Sequence, residues 1–260
     1  MPGADTTDPV VLPRPGVVRI VGPGRAGGAL ARALAGAGWT VAPPVRHGDD
    51  PATATDGVEL VVVATPDAAI ADVAAAVAPR DGVVVAHLSG SLGTGVLAPH
   101  AHRVALHPLA SLPDAEVGAE RLQGAWFAVT ASTARASAVA GAVVDALGGR
   151  LLAVADEDRV AHHAAASIAA NHLVALLAQV ERIAPDGVPL HAYLDMVRAT
   201  VDNVARLGPA AALTGPAARG DTATIERHLA AIPADERPAY LALSARAARL
   251  AADAREASGG

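Results

Sequence analysis

The side chains able to do chemistry here are few in kind. The 260 residues include ten His, 26 acidic residues and 20 Arg, but neither Lys nor Cys. Thiolate nucleophiles, disulfides, Cys-ligated zinc, Schiff-base lysines and Lys-dependent phosphate loops are excluded together. What remains is acid–base work by His and carboxylates, hydroxyls, guanidinium forks and glycine turns. His100 and His102, or His162 and His163, sit adjacent or alternate with no acidic cluster beside them, a poor ligand pattern, so no metal is expected.

One polar stripe stands out. His163, Ser167 and Asn171 are four apart in an Ala-rich helical segment, so they share one face and drift about 40° per step. Such a stripe can line a cleft; the alternatives are a solvent face, or Ser167 bonded to its own helix backbone. Downstream, TGPAARGD (Thr214 to Asp221) is a shaped turn. Its Arg219 could grip a carboxylate, while Asp221 could cap the helix that carries His228.

A glycine pattern opens the chain's ordered part. Gly22-Pro23-Gly24-Arg25-Ala26-Gly27 follows an apolar strand and precedes a helical ALARALAGAG and a second strand. In that context the first Gly makes the tight turn, the second admits a diphosphate, and the third lets helix and strand pack closely. Gly22, Gly24, Arg25, Ala26 and Gly27 are thus expected at a dinucleotide. After the second strand, Arg46 favours the 2′-phosphate of NADP, while Asp49 and Asp50 leave room for NAD. Thr65, Pro66 and Asp67 close one strand, and Ser89 and Gly90 follow another. Both groups lie at strand carboxyl ends, where open α/β sheets bind ligands, although Asp67 could equally be an N-cap.

The elements that must position these residues follow from the apolar pattern. Short aliphatic runs at 17–21, 39–42, 60–64, 83–87, 104–107, 126–130 and 151–154 suit a parallel sheet covered on both faces. Helical periodicity fits 26–37, 68–78 and 133–147. The first half reads as a Rossmann-type doubly wound α/β domain over residues 16–154, after a Pro-rich arm at 1–15. From 155 to 260 the strand signal stops, and Ala, Leu and Arg with a period near 3.6 predict an all-α domain. Its expected helices span 157–183, 189–207, 222–231 and 238–256, before a polar ASGG tail.

Composition narrows the partners. At 52% hydrophobic and 18% charged the chain is globular, and with only five aromatics its core is aliphatic. A net charge of −6 without a basic block argues against nucleic acid and anionic membrane. The N-terminus reads as neither signal nor transit peptide, and the longest apolar candidate, 164–178, is interrupted by Ser167, Asn171 and His172. A cytoplasmic location is expected.

Taken together, GPGRAG, ATPD, HLSGS, HPL, HHAAASIAAN and TGPAARGD followed by Ile225 to Leu229 resemble a bacterial two-domain family. Its members pair a Rossmann-like NADP-binding half with a C-terminal domain of unknown function. They stand near the 6-phosphogluconate dehydrogenase, ketopantoate reductase and pyrroline-5-carboxylate reductase group. The resemblance implies NADP(H), a homodimer built on the helical half, and a reductase-like site. In the wider superfamily a Lys and an Asn lie four apart on the first long helix of the second domain. Asn171 matches that Asn, but Ser167 occupies the Lys place.

The leading expectation is therefore an NADPH-dependent oxidoreductase acting on a small carbonyl acid of the ketopantoate type. His163 would supply the proton directly or through Ser167, Asn171 would orient the oxygen, and His107 and Arg219 would bind substrate. Reduction of an imine of the pyrroline-5-carboxylate type accommodates the missing Lys, because such a substrate can arrive protonated. A non-catalytic NADP-binding sensor is the third reading.

Overall fold

Strands that are apolar on both faces have no side fit for water, and here they form a sheet between two cores. A computed structural model describes residues 16–258; the expected arm at 1–15 and the last two residues of the tail lie outside the described residues. β1 (Val17–Val21), β2 (Thr40–Val41), β3 (Leu60–Val63), β4 (Val84–His87), β5 (His102–Pro108), β6 (Trp126–Ala131) and β7 (Arg150–Ala153) form one sheet. Its order is β2-β1-β3-β4-β5-β6-β7. Leu60 and Val62 share a core with Val18, Ile20, Val84 and Ala86, whereas Val61 and Val63 share the opposite core with Val21 and Val85.

Four helices cover the sheet: α1 (Arg25–Gly36), α2 (Ile70–Ala76), α3 (Ala115–Leu122) and α4 (Ala134–Ala146). Leu30, Leu34, Leu122, Val139 and Val143 seal the first core, and Ile70 and Ala74 the second. The short α3 was not expected from periodicity. Asp114 starts it, its Oδ1 accepting the Glu116 and Val117 amides at 2.8 Å.

The sheet departs from the expected parallel arrangement at one place. β6 runs antiparallel to β5, with Leu106 opposite Val129, and β7 is parallel to β6. The connection through α3 packs on α1 and returns at the same end of the sheet, which reverses β6.

After a 3-10 turn at Asp156–Asp158 the chain is helical. α5 (Arg159–Ser167) runs into a π turn, Ile168–His172, followed by α6 (Leu173–Ile183), α7 (Leu190–Leu207), α8 (Pro209–Ala212), α9 (Pro216–Arg219), α10 (Thr222–Ala231) and α11 (Arg237–Ser258). The chain divides into two compact units, residues 1–170 and 171–260. The division falls later than the end of the strand signal at Val154, because α5 is tied into the sheet unit through Asp156 and Arg159. Within the second unit, Arg182 pairs with Asp235 and Glu236 at 2.7 Å, joining α6 to the start of α11. The run Asp156–Ile183 is 28 residues long, sufficient with its composition to cross a membrane, and its most apolar window has no buried residue.

Candidate functional site

Strand, turn and helix meet at β1 and α1 as the glycine spacing requires. Gly22 has φ +87°, and a Cβ there would lie 3.1 Å from Ala64 O. A Cβ on Gly27 would overlap Gly22 O and lie 2.8 Å from Ala64 Cβ. Around Gly24 the space is open, and no side chain caps the N-terminus of α1. A cavity of about 710 Å³ starts here, lined by Gly22, Pro23, Gly24, Arg46, His47 and Thr65 among others. Of the expected cofactor residues, Gly22, Gly24, Arg46, Thr65 and Pro66 line it; Arg25, Ala26, Gly27, Asp67, Ser89 and Gly90 are outside its lining.

The residues fit a dinucleotide phosphate. The buried Thr65 Oγ1 has no hydrogen-bond partner among the described residues, an orphan a bound ligand would satisfy. Beyond β2, Asp49 Oδ2 accepts the Arg46 amide at 2.7 Å and Asp50 Oδ1 accepts that of Ala52 at 2.9 Å. The two carboxylates that left room for a ribose diol thus close their own turns. The Arg46 side chain stays exposed at the cavity rim, where a 2′-phosphate would meet it.

Asp67 is not an N-cap, since no side chain caps the 3-10 turn it opens. Its Oδ2 accepts the Ser89 hydroxyl at 2.6 Å, tying the end of β3 to the turn after β4. That turn is fixed again from within. The fully buried His87 accepts the Ser89 amide at Nδ1 (3.2 Å) and lies 3.1 Å from Gly93 O through Nε2, which sets the proton on Nε2. Burial pushes the His87 pKa down to about 4, against the opposing effect of the Gly93 bond.

Over this turn sits a histidine cluster. His107, at the end of β5, meets His163 edge to face at 5.4 Å between ring centroids and His162 at 5.9 Å. His107 Nδ1, His162 Nε2 and His163 Nδ1 are buried and have no hydrogen-bond partner among the described residues. A Cβ on Gly90 would overlap His163 Nδ1 and come within 2.9 Å of His107 Cε1, so only glycine admits these rings. Burial lowers the His107 pKa to about 4, helped by His163, His162 and Arg159. His162 is lowered by burial and by Arg159 and His163. No group of His and carboxylate residues that could hold a metal occurs among the described residues.

The structure therefore brings His107, His163, Ser89 and Gly90 together. Ser167 ends α5, half-buried; Asn171 lies in the π turn and Arg219 ends α9, both exposed in the second unit. The π turn interrupts the α-helical register, so the even drift expected from Ser167 to Asn171 does not hold. Asp221 caps α10 through the Thr224 amide at 3.0 Å, and its hydrogen bonds from Thr224 lower its pKa. Sequence reasoning missed His162, whose adjacency to His163 was the available signal, and Arg159, which carried none beyond its place in DEDRVAHH.

Comparison with known proteins agrees with this layout. Residues 1–113 match the model of a Rossmann-like domain, and residues 125–247 match a domain of unknown function, DUF2520. No curated protein matches the chain significantly. A Bacteroides fragilis structure assigned to the NADP oxidoreductases is 23% identical, with a TM-score of 0.75, over 90% of this chain and 98% of its own. A Thermotoga maritima protein is 21% identical, with a TM-score of 0.69, over 92% and 99%. Pyrroline carboxylate reductase from Plasmodium falciparum, with NADP bound, is 13% identical, with a TM-score of 0.62, over 95% and 99%. At these identities the likeness is one of fold.

Proposed function

We propose that this chain, a Rossmann-like domain followed by DUF2520, is an NADPH-dependent oxidoreductase that reduces a C=N bond in a small substrate. The observation that carries the choice of bond is the histidine cluster. Three imidazoles with unsatisfied buried nitrogens meet beside Gly90, His163 and His107 directly over it and His162 against His107, and His107 and His162 are pressed toward their neutral forms. A neutral imidazole can accept a hydrogen bond from a protonated imine, but it is a poor source of the proton a ketone needs. The chain has no Lys to serve instead. Bound NADPH would supply the hydride.

The chain's own residues would do the rest. The Gly22 to Gly27 turn and the start of α1 would hold the diphosphate, and Arg46 the 2′-phosphate. His107 and His163 would accept from the substrate N–H, and Ser89 and Gly90 would form the wall beneath them. Similar folds include a pyrroline carboxylate reductase with NADP bound and a reductive aminase in complex with NADPH, which supports NADP and a C=N substrate.

A 2-oxo acid of the ketopantoate type, with His163 as proton donor, is the second reading. Its support is the field of the buried Arg159 guanidinium, which acts on His107 and His162 and would favour a developing alkoxide without touching it. Oxidation of NADPH followed with pyrroline-5-carboxylate and, separately, with ketopantoate decides between them. Turnover of the imine alone is expected, and turnover of the oxo acid alone overturns the choice.

The same reading includes a cytoplasmic location and a homodimer formed by the helical half. Within the second unit, Val174, Met196 and Val201 are 56–68% exposed in one chain, apolar side chains that a partner would cover. Light scattering should give twice the 25.8 kDa chain mass; a monomer at micromolar concentration contradicts the dimer.

A further inference from the structure

We propose that Arg159 is a positioning residue: its guanidinium clamps the Ser89 to Leu92 turn to the first turn of α5 and so sets His163 over Gly90 and His162 against His107. The proposal rests on the reductase reading for its catalytic consequence, but not for its geometry. Arg159 has no exposed surface. Its Nε donates to Leu92 O at 2.6 Å, Nη2 to Ser89 O at 2.6 Å and Nη1 to Thr130 Oγ1 at 3.0 Å. Two of the three acceptors belong to the turn that contains Gly90, one on each side of it.

No carboxylate forms an ion pair with this buried cation among the described residues. Asp156 is instead held by Thr94, whose amide and hydroxyl it accepts at 3.0 and 2.9 Å. Taking a guanidinium out of water is costly, and an apolar side chain of similar volume would serve the core as well or better. What an apolar side chain cannot do is fix two carbonyl oxygens in direction. His162 and His163 follow Arg159 by three and four residues, so they share its helix face. Holding the turn to Arg159 therefore fixes the distance between Gly90 and the His163 ring, and with it the place of His162 beside His107. From the opposite side the turn is held by Asp67 and His87.

The clamp also sets the charge around the cluster. The groups facing it are His87, His107, His162, His163, Arg159 and the carboxylates of Asp67 and Asp156. Arg159 opposes protonation of His87, His107 and His162.

The test uses the full chain as wild type, Arg159→Lys and Arg159→Met. Long-range proton–nitrogen spectra of the imidazoles are recorded across pH, alongside thermal melts, NADPH affinity, and kcat and KM with pyrroline-5-carboxylate. Arg159 does not line the cofactor cavity, so NADPH affinity should stay within about threefold. In Arg159→Met the His107 and His162 titrations should move upward and the His163 ring signals should shift, while kcat falls by about a hundredfold. Arg159→Lys should retain the titrations but not the full kcat, since a single ammonium cannot reach both carbonyls as a fork does. Imidazole spectra of folded Arg159→Met that superimpose on wild type, or an unchanged kcat, overturn the proposal. Should Arg159→Met not fold, Thr130→Val removes one acceptor of the clamp; smaller changes in the same direction support it and unchanged spectra overturn it. If wild type reduces neither imine nor oxo acid, the reductase reading fails, and the spectra still decide the clamp.

Discussion

At the scale of single residues, the site depends on places where one side-chain atom more cannot be accommodated. Gly90 lies under His163 and His107, so Gly90→Ala must push the rings away or move the turn. Turnover should fall by about a hundredfold with NADPH affinity little changed, because a displacement of about 1 Å carries that penalty; equal losses in both would place Gly90 in the cofactor cavity instead. Histidines at strand ends and on a helix are visible in the sequence, and His107 and His163, picked out for that reason, meet in the structure. Arg159 was not. A charged residue after Asp-Glu-Asp reads as a solvated helix start, and only the tertiary approach of Ser89 and Leu92 carbonyls makes it a buried clamp. Arg46 was legible because its place after β2 follows from the glycine fingerprint. That Asp49 and Asp50 are turned to their own backbone was not, since local side-chain to amide bonds compete with ligand roles at any such turn.

At the scale of elements, aliphatic runs told where the strands lie but not which way they run. β1, β3 and β4 fall within a residue or so of the expected positions, because runs apolar on both faces have few other uses; β7 does so too, but its residues are exposed rather than covered as expected. The reversal of β6 escaped because direction is set by the connection through α3, a helix too short to show a period. The packing of α1 on β1 depends on Gly27, whose added Cβ would lie 2.8 and 2.9 Å from Ala64 Cβ and Ile20 Cγ2 and overlap Gly22 O. Gly27→Ala is expected to destabilise the chain by about 1–3 kcal/mol, the usual cost of overpacking, and to weaken NADPH binding as the turn shifts. Urea unfolding with unchanged midpoint would show that helix and strand sit farther apart than described.

At the scale of the whole molecule, two histidines of the sheet unit couple folding to pH. His87 and His107 have folded pKa values of about 4, below the ordinary value near 6.5. Between those limits the unfolded chain binds more protons than the folded one, so stability is full above pH 6.5 and is lost as pH falls toward 4. By pH 5 each group costs about 2 kcal/mol. Denaturant unfolding at pH 7 and pH 5 should show the loss, and His87→Gln should flatten part of it; a profile level between pH 7 and 5 contradicts the burial of both rings as neutral groups. Composition changes at Val154, whereas the two compact units divide at residue 170, with Arg159 binding α5 to the sheet unit. On the proposed reading the cavity at the β1–α1 turn takes a dinucleotide that carries a 2′-phosphate. Calorimetric titration with NADPH and with NADH, on wild type and Arg46→Ala, tests it most directly. NADPH should bind wild type about 10- to 100-fold more tightly than NADH, and Arg46→Ala should abolish most of that difference, as loss of a charge-assisted phosphate contact does. Absence of binding heat with either nucleotide, or equal affinities unaffected by Arg46→Ala, would contradict it.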